Sequence, residues 1–166
     1  MDTFYLLRLF LLVLLLGGGS SRATAQIWQW ANAPGTGAGN AITADSANLV
    51  YVAGDYQGRV AFGQSVLFGV GPSEAFVAIL LGSGPYQGGI SLAQSTVTTN
   101  MHCTGVALDG QGGGYLTGWF TDTAMIGLDT LVSAGGSDGF VMRVSSSGAP
   151  LWLHGFGGPG DDGGTG

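Results

Sequence analysis

Apolar residues in this chain come in short β-branched and aromatic runs rather than at helical spacing. Leu49-Val50-Tyr51-Val52-Ala53 and Phe140-Val141-Met142-Arg143-Val144 are each bounded by Gly, Asp or Ser, the mark of strands closed by turns. Beyond residue 25 no window places apolar residues three and four apart between two capping signals, so no helix is expected there. The pattern also recurs: residues 42–80 and 106–144 align at a shift of 64 positions without a gap. Identical pairs across that shift are Asp45/Asp109, Tyr51/Tyr115, Gly54/Gly118, Gly63/Gly127, Leu67/Leu131, Gly71/Gly135, Ser73/Ser137, Phe76/Phe140 and Val77/Val141. Self-similarity at a fixed period marks a repeat architecture, in which each unit buries its apolar face against a neighbour.

The second copy predicts the strand order of one unit. A strand at Gly105–Leu108 turns through Asp109-Gly110-Gln111-Gly112-Gly113 into Tyr115–Phe120; a third strand follows around Ala124–Val132, with Gly127 as a point of interruption, and a fourth spans Phe140–Val144. Asp-Gly at the first turn is a hairpin signal. Four antiparallel strands per unit is the content of one β-propeller blade. Ser147-Gly148-Ala149-Pro150-Leu151-Trp152 then leads into a third copy, whose counterpart near the start is Trp28-Gln29-Trp30. The middle copy lacks this tryptophan, and Tyr86 lies closest to its place. The expected organisation is a leader over 1–25, a joining segment over 26–40, one unit over 41–85, an irregular insert over 86–101, a second unit over 102–150 and the start of a third over 151–166.

The leader reads as a secretory signal peptide. Leu9–Leu16 is an uninterrupted apolar run, and Ala23-Thr24-Ala25 is an A-x-A cleavage triplet, so the mature chain is expected to begin at Gln26. The run falls well short of the ~20 residues of a spanning helix, so no stable membrane span is expected after cleavage. Beyond it Arg59 and Arg143 are the only Lys or Arg, against nine carboxylates from Asp45 to Asp162. A chain this acidic repels phosphate backbones, which excludes nucleic acid as a partner. Only 8% of residues are charged while 45% are hydrophobic, so the chain has a core but a surface built from Gly, Ser, Thr, Asn and Gln. Cys103 stands alone, so no disulfide staples the fold from within; a buried apolar role is expected for it, with pairing between chains as the alternative.

In combination these motifs resemble the bacterial SBBP family of β-propeller repeats. Val106-Ala107-Leu108-Asp109, Tyr115-Leu116-Thr117-Gly118, Gly136-Ser137-Asp138-Gly139-Phe140-Val141, Ser147-Gly148 and Trp152 carry the resemblance in the second copy. Val50-Tyr51-Val52-Ala53-Gly54 and Glu74-Ala75-Phe76-Val77 carry it in the first. The middle unit departs from the family pattern by lacking its tryptophan. The resemblance implies an all-β partial β-propeller of four-stranded antiparallel blades, exported or at the cell surface, with no catalytic residues. Closed propellers take roughly 4–8 blades; two units and the start of a third therefore predict a piece of a longer protein.

Several local patterns suggest chemistry, and each has a structural alternative. Gly135-Gly136-Ser137-Asp138-Gly139 fits G-x-S-x-G, but a nucleophile elbow must join a strand to a helix, and here a strand follows. Gly155-Phe156-Gly157-Gly158-Pro159-Gly160 fits G-x-G-x-x-G, yet Pro159 and its glycines cannot open a helix to cradle a phosphate. Gly157–Asp162 matches the start of a Ca²⁺-binding nonapeptide, with Asp161 and Asp162 as the only metal ligands worth naming; that site needs consecutive copies to supply its oxygens. Met101-His102-Cys103 would suit a soft metal, but adjacent strand residues point to opposite faces. Trp28 and Trp152 are expected to plug the gap between units, while Trp30 and Trp119 are the expected contact residues for a partner.

The expectation from sequence is an exported, non-catalytic propeller repeat protein that acts as an interaction or scaffold module, with no cofactor and with an extracellular protein or glycan as its partner. Two rivals are a propeller hydrolase acting on glycans or peptides and a Ca²⁺-dependent β-helix adhesin. The first needs a cluster of carboxylates or a histidine pair facing one channel, and Asp45, Glu74, Asp109 and Asp138 instead fall at turns. The second predicts short regular repeats rather than a period of 64.

Overall fold

A computed structural model describes residues 36–92, 94, 95 and 99–166. The proposed leader, Trp28 and Trp30 lie outside the described residues. Those described are all-β, without a helix: β1 (Gly37–Ala44), β2 (Leu49–Tyr56), β3 (Arg59–Phe62), β4 (Ser65–Phe68), β5 (Glu74–Leu81), β6 (Tyr86–Ser91), β7 (Gln94–Ser95), β8 (Met101–Leu108), β9 (Gly114–Ile126), β10 (Asp129–Val144) and β11 (Pro150–Phe156). The first sheet runs β1-β2-β5-β6, and the second pairs β8, β9, β10 and β11 in the same order, with β7 added at the far end of β9. All named strand pairs are antiparallel. The β3–β4 hairpin forms a small sheet of its own.

The sequence repeat is a structural repeat at the same shift. β1 maps onto β8 with 64 positions between Gly37 and Met101, and β6 maps onto β11 with 64 between Tyr86 and Pro150. Irregularities repeat too: the break in register at Gly39/Ala41 returns at Cys103/Gly105, and that at Ile79/Leu80 returns at Arg143/Val144. Gly54 and Gly118 show why their identity is kept. A Cβ on Gly54 would lie 1.9 Å from the carbonyl oxygen of Ala38, and one on Gly118 would lie 1.9 Å from that of His102. Each glycine thus lies under the carbonyl that the adjacent bulge pushes out, a position no side chain can share.

The turn acids repeat in the same way. Asp45 Oδ1 accepts the amide of Leu49, and Asp109 Oδ1 accepts those of Gln111 and Gly113. Glu74 Oε1 accepts the amides of Val70 and Gly71, and Asp138 Oδ2 that of Ala134. Carboxylates that close turns onto backbone N–H groups hold the loop shape without any catalytic demand.

Two details differ from the strand order expected. The stretch Ala124–Val132 is not a separate third strand; it is the far end of the long β9–β10 hairpin, because Asp129–Val132 pair with Ile126–Thr123. The second sheet's fourth strand is β11, which pairs with β10. In register, Trp152 sits opposite Arg143 as Gly88 sits opposite Ile79, whereas Tyr86 corresponds to Pro150. Thus Gly88, and not Tyr86, holds the tryptophan's place in the first copy. After β11 the chain begins the pattern again at a slightly shorter spacing. Asp162 N–H donates to Ser137 O as Met101 N–H does to Ser73 O, and Thr104 Oγ1 donates to Gly164 O as Asn40 Nδ2 does to Cys103 O.

The main core lies between the sheets. From the first sheet come Tyr51, Ala53, Ala75, Val77 and Ile79; from the second come Met101, Cys103, Leu116, Phe120, Phe140, Met142, Val144 and Leu153. Strand alternation puts these on one face of each sheet. A second, smaller core lies under the β3–β4 hairpin, where Val60 and Phe62 pack on Tyr56, Phe76, Ala78 and Leu80. The Phe62 and Phe76 ring centroids are 4.7 Å apart there.

Candidate functional site

The face of the second sheet that points away from the first carries an aromatic and polar array. Alternation along β9 directs Tyr115, Thr117 and Trp119 outward. Register extends each across the sheet, from Tyr115 to Arg143 and Trp152, from Thr117 to Val141 and His154, and from Trp119 to Gly139 and Phe156. Gly139 makes room for Phe156, whose ring would stand 2.3 Å from a Cβ at that position. Tyr115 and Trp152 have ring centroids 6.0 Å apart, and Trp152 and His154 5.4 Å. Trp152 is therefore part of this outward face.

Arg143 anchors one end. Its Nη2 donates to Asp109 Oδ2 at 2.7 Å, and its guanidinium carbon lies 6.0 Å from the centre of the Tyr115 ring. The Arg143 hydrogen bond, joined by the Gln111 and Gly113 amides, holds the Asp109 carboxyl below the usual carboxylate range. Asp109 in turn raises the guanidinium above its ordinary value.

Trp119 anchors the other end. It stacks on His102 with centroids 4.1 Å apart and planes inclined by 19°. His102 Nδ1 lies 3.1 Å from Asp55 Oδ1, which also accepts from Asn40 Nδ2 at 2.6 Å. Asp55 belongs to the first sheet and is the repeat equivalent of Trp119, so this cluster ties the two sheets together at their edge. Ser73 Oγ reaches Asp55 Oδ2 at 3.5 Å. That places the carboxylate between serine and histidine, whereas nucleophilic catalysis needs the histidine in the middle. Nothing in the spacing of Asn40, Asp55, Ser73 and His102 announces the cluster, since Asn40 and Asp55 meet through the β1–β2 pairing and His102 reaches them only because β8 of the other sheet packs alongside.

The remaining sequence candidates are placed as follows. Asp161 Oδ1 accepts the Ser137 amide at 3.0 Å, which ties the tail to β10, and Asp162 Oδ2 accepts the Gly158 amide at 2.8 Å, which closes the backbone of the tail. Among the described residues no three His, Cys, Asp or Glu side chains gather around one point. Met101 and Cys103 are buried in the core while His102 faces the other way. Cys103 Sγ lies 3.4 Å from Thr117 O and 3.5 Å from Gly105 O, and burial pushes its thiol up to about 12. Gly135–Gly139 lies inside β10, and Gly155–Gly160 runs from β11 into coil, so neither opens a helix. No helix among the described residues is long and apolar enough to cross a membrane. Neither a protein-family model nor a curated protein matches the chain.

Proposed function

We propose that the two sheets are β-propeller blades of the SBBP type, in an exported protein that serves as a non-catalytic interaction or scaffold module outside the cell or on its surface. The observation that carries this reading is the unequal cover of equivalent residues. Tyr51 is 1% exposed and Tyr115 40% exposed, although both occupy the same register position. Tyr51 faces the second sheet; Tyr115 presents the same kind of face outward. At the opposite end Ile42 is 71% exposed, whereas its equivalent Val106 packs on the main core. The Tyr51 face of the first sheet, covered by the second, thus recurs uncovered on the second sheet, as expected of a unit that receives a further one; the other face of the first sheet is covered by its own β3–β4 hairpin, which leaves Ile42 outside.

The placement of the carboxylates supports a role without catalysis, because Asp45, Glu74, Asp109 and Asp138 each close a turn onto backbone amides. The apolar leader and its A-x-A triplet support export. In this reading the rings of Tyr115, Trp119 and Trp152 are the surface that a further sheet covers, and a protein or glycan partner meets the loops at the sheet ends.

The experiment uses the tail's own register. Asp162 and Gly164 stand to the second sheet as Met101 and Cys103 stand to the first, so a copy of residues 106–161 joined after Gly166 continues the series in phase. Stacking predicts that Trp152 and Trp119 lose access to an iodide quencher and that thermal stability rises. Unchanged quenching, with the added copy folding apart, would show that the outward face does not receive a further sheet and would overturn the propeller reading.

A further inference from the structure

Among the described residues a cleft of about 400 Å³ opens at the seam between the sheets, bordered by β5, β6 and the β10–β11 turn. Leu49, Val77, Ile79 and Ile90 form an aliphatic floor continuous with the two-sheet core, and Ser146 and Ser147 stand at the rim. Gly88 lies in its wall. The repeat explains the space. Gly88 pairs with Ile79 as Trp152 pairs with Arg143, so the first copy lacks an indole where the second carries one. The turn from the second sheet closes one side, because Gly148 brings its backbone against Ile90 and Val77.

We propose that this cleft binds a planar aromatic ring of indole size. Its volume falls in the range of small-molecule pockets, which pair an apolar lining with a few polar groups that set orientation. The rim serine hydroxyls can accept a ring N–H, and the floor takes the ring's apolar face. Among the described residues no aromatic side chain lines the cleft, so they offer a sugar no stacking platform, and the chemistry selects an aromatic ring over a glycan. The site follows from the repeat and the cleft alone and is independent of the proposed scaffold role.

Titration of indole into the isotope-labelled full chain, followed by amide chemical shifts, tests it. Saturable shifts are expected at Gly88, Gly89, Ser146 and Ser147, with none at Gly163, and glucose at equal concentration produces no such pattern. Gly88→Trp supplies the missing ring from within; a Cβ at Gly88 meets only Ser65 Oγ, at 3.4 Å. This substitution is expected to weaken indole binding by at least about tenfold, readable as a tenfold change in midpoint. Gly88→Leu, which fills less space, is the second variant and is expected to weaken binding in the same direction. Absence of localised shifts in the unsubstituted chain, or equal affinity in a folded Gly88→Trp or Gly88→Leu chain, would overturn the proposal.

Discussion

His102 lies flat on Trp119 with ring centroids 4.1 Å apart, while its Nδ1 reaches 3.1 Å across to Asp55 Oδ1 in the first sheet. One side chain therefore joins a ring of its own sheet to a carboxylate of the neighbouring one. Asn40 completes the junction, donating from one nitrogen to Asp55 Oδ1 and to Cys103 O. Asp55→Ala leaves both His102 and Asn40 without that acceptor. It is expected to lower stability by about 1 kcal/mol, because His102 is part-buried whereas Asn40 is exposed and can turn to water. Urea unfolding followed by tryptophan fluorescence measures it; a midpoint equal to that of the unsubstituted chain would remove the junction from the list of forces joining the sheets.

Gly54→Ala and Gly118→Ala are expected to destabilise strongly and to a similar degree, since each new Cβ meets a backbone oxygen at 1.9 Å. Relief requires moving the bulged strand, at about 2–4 kcal/mol, toward the upper end of single-residue effects. Gly160→Ala is the control, because a Cβ there meets nothing within 4 Å. Chemical denaturation of the three variants separates the cases.

Cys103 titrates at about 12 in the folded chain because burial penalises its thiolate. The unfolded thiol ionises near 8.5. A folded value above the unfolded one means that the folded state holds the proton longer, so this contribution is intact below the unfolded value and is lost as pH rises toward 12. Within that window the group alone lowers stability by about 1.4 kcal/mol per pH unit. Tyr51, Tyr56 and Tyr86, also raised by burial, add to the decline above pH 10 or so. Comparing pH-dependent unfolding of the unsubstituted chain with Cys103→Ala isolates the thiol's share. The native thiol is also expected to resist a maleimide at neutral pH until denaturant is added.

Asp109 and Asp45 occupy equivalent turns but hold different loads. Asp109 accepts the Gln111 and Gly113 amides and the Arg143 guanidinium, whereas Asp45 Oδ1 accepts the Leu49 amide. Asp109→Asn is therefore expected to shift the unfolding midpoint further than Asp45→Asn. With its folded value depressed, chiefly by Arg143, Asp109 stabilises above the unfolded carboxylate value and loses that contribution as pH falls through the folded one. Acid unfolding of Asp109→Asn is expected to show a weaker dependence on pH in that range. An unaltered acid limb would count against the Arg143 pairing.

The sequence by itself determined the all-β class, the repeat and the period, because those depend on local alternation and on residues reused for one local task. Asp45 and Asp109 close the same turn, Gly54 and Gly118 lie under equivalent carbonyls, and Phe76 and Phe140 are both buried, one under the β3–β4 hairpin and the other between the sheets. Strand order within the unit was less legible. Gly127 marks an interruption in the stretch Ala124–Val132, but that it folds the stretch into a hairpin, at a positive φ of 62°, rather than breaking one strand is decided by the pairing. The tertiary structure alone decided which face of each sheet is covered. Tyr51 and Tyr115 are the same residue in the same register, yet burial belongs to the neighbour and not to the side chain. The same holds for Trp152 and Gly88, whose difference becomes a cleft only when the second sheet's turn closes over it. It holds as well for Asn40, Asp55 and His102, which are distant in sequence and meet only because β1 pairs with β2 in one sheet and β8 of the other sheet packs against them.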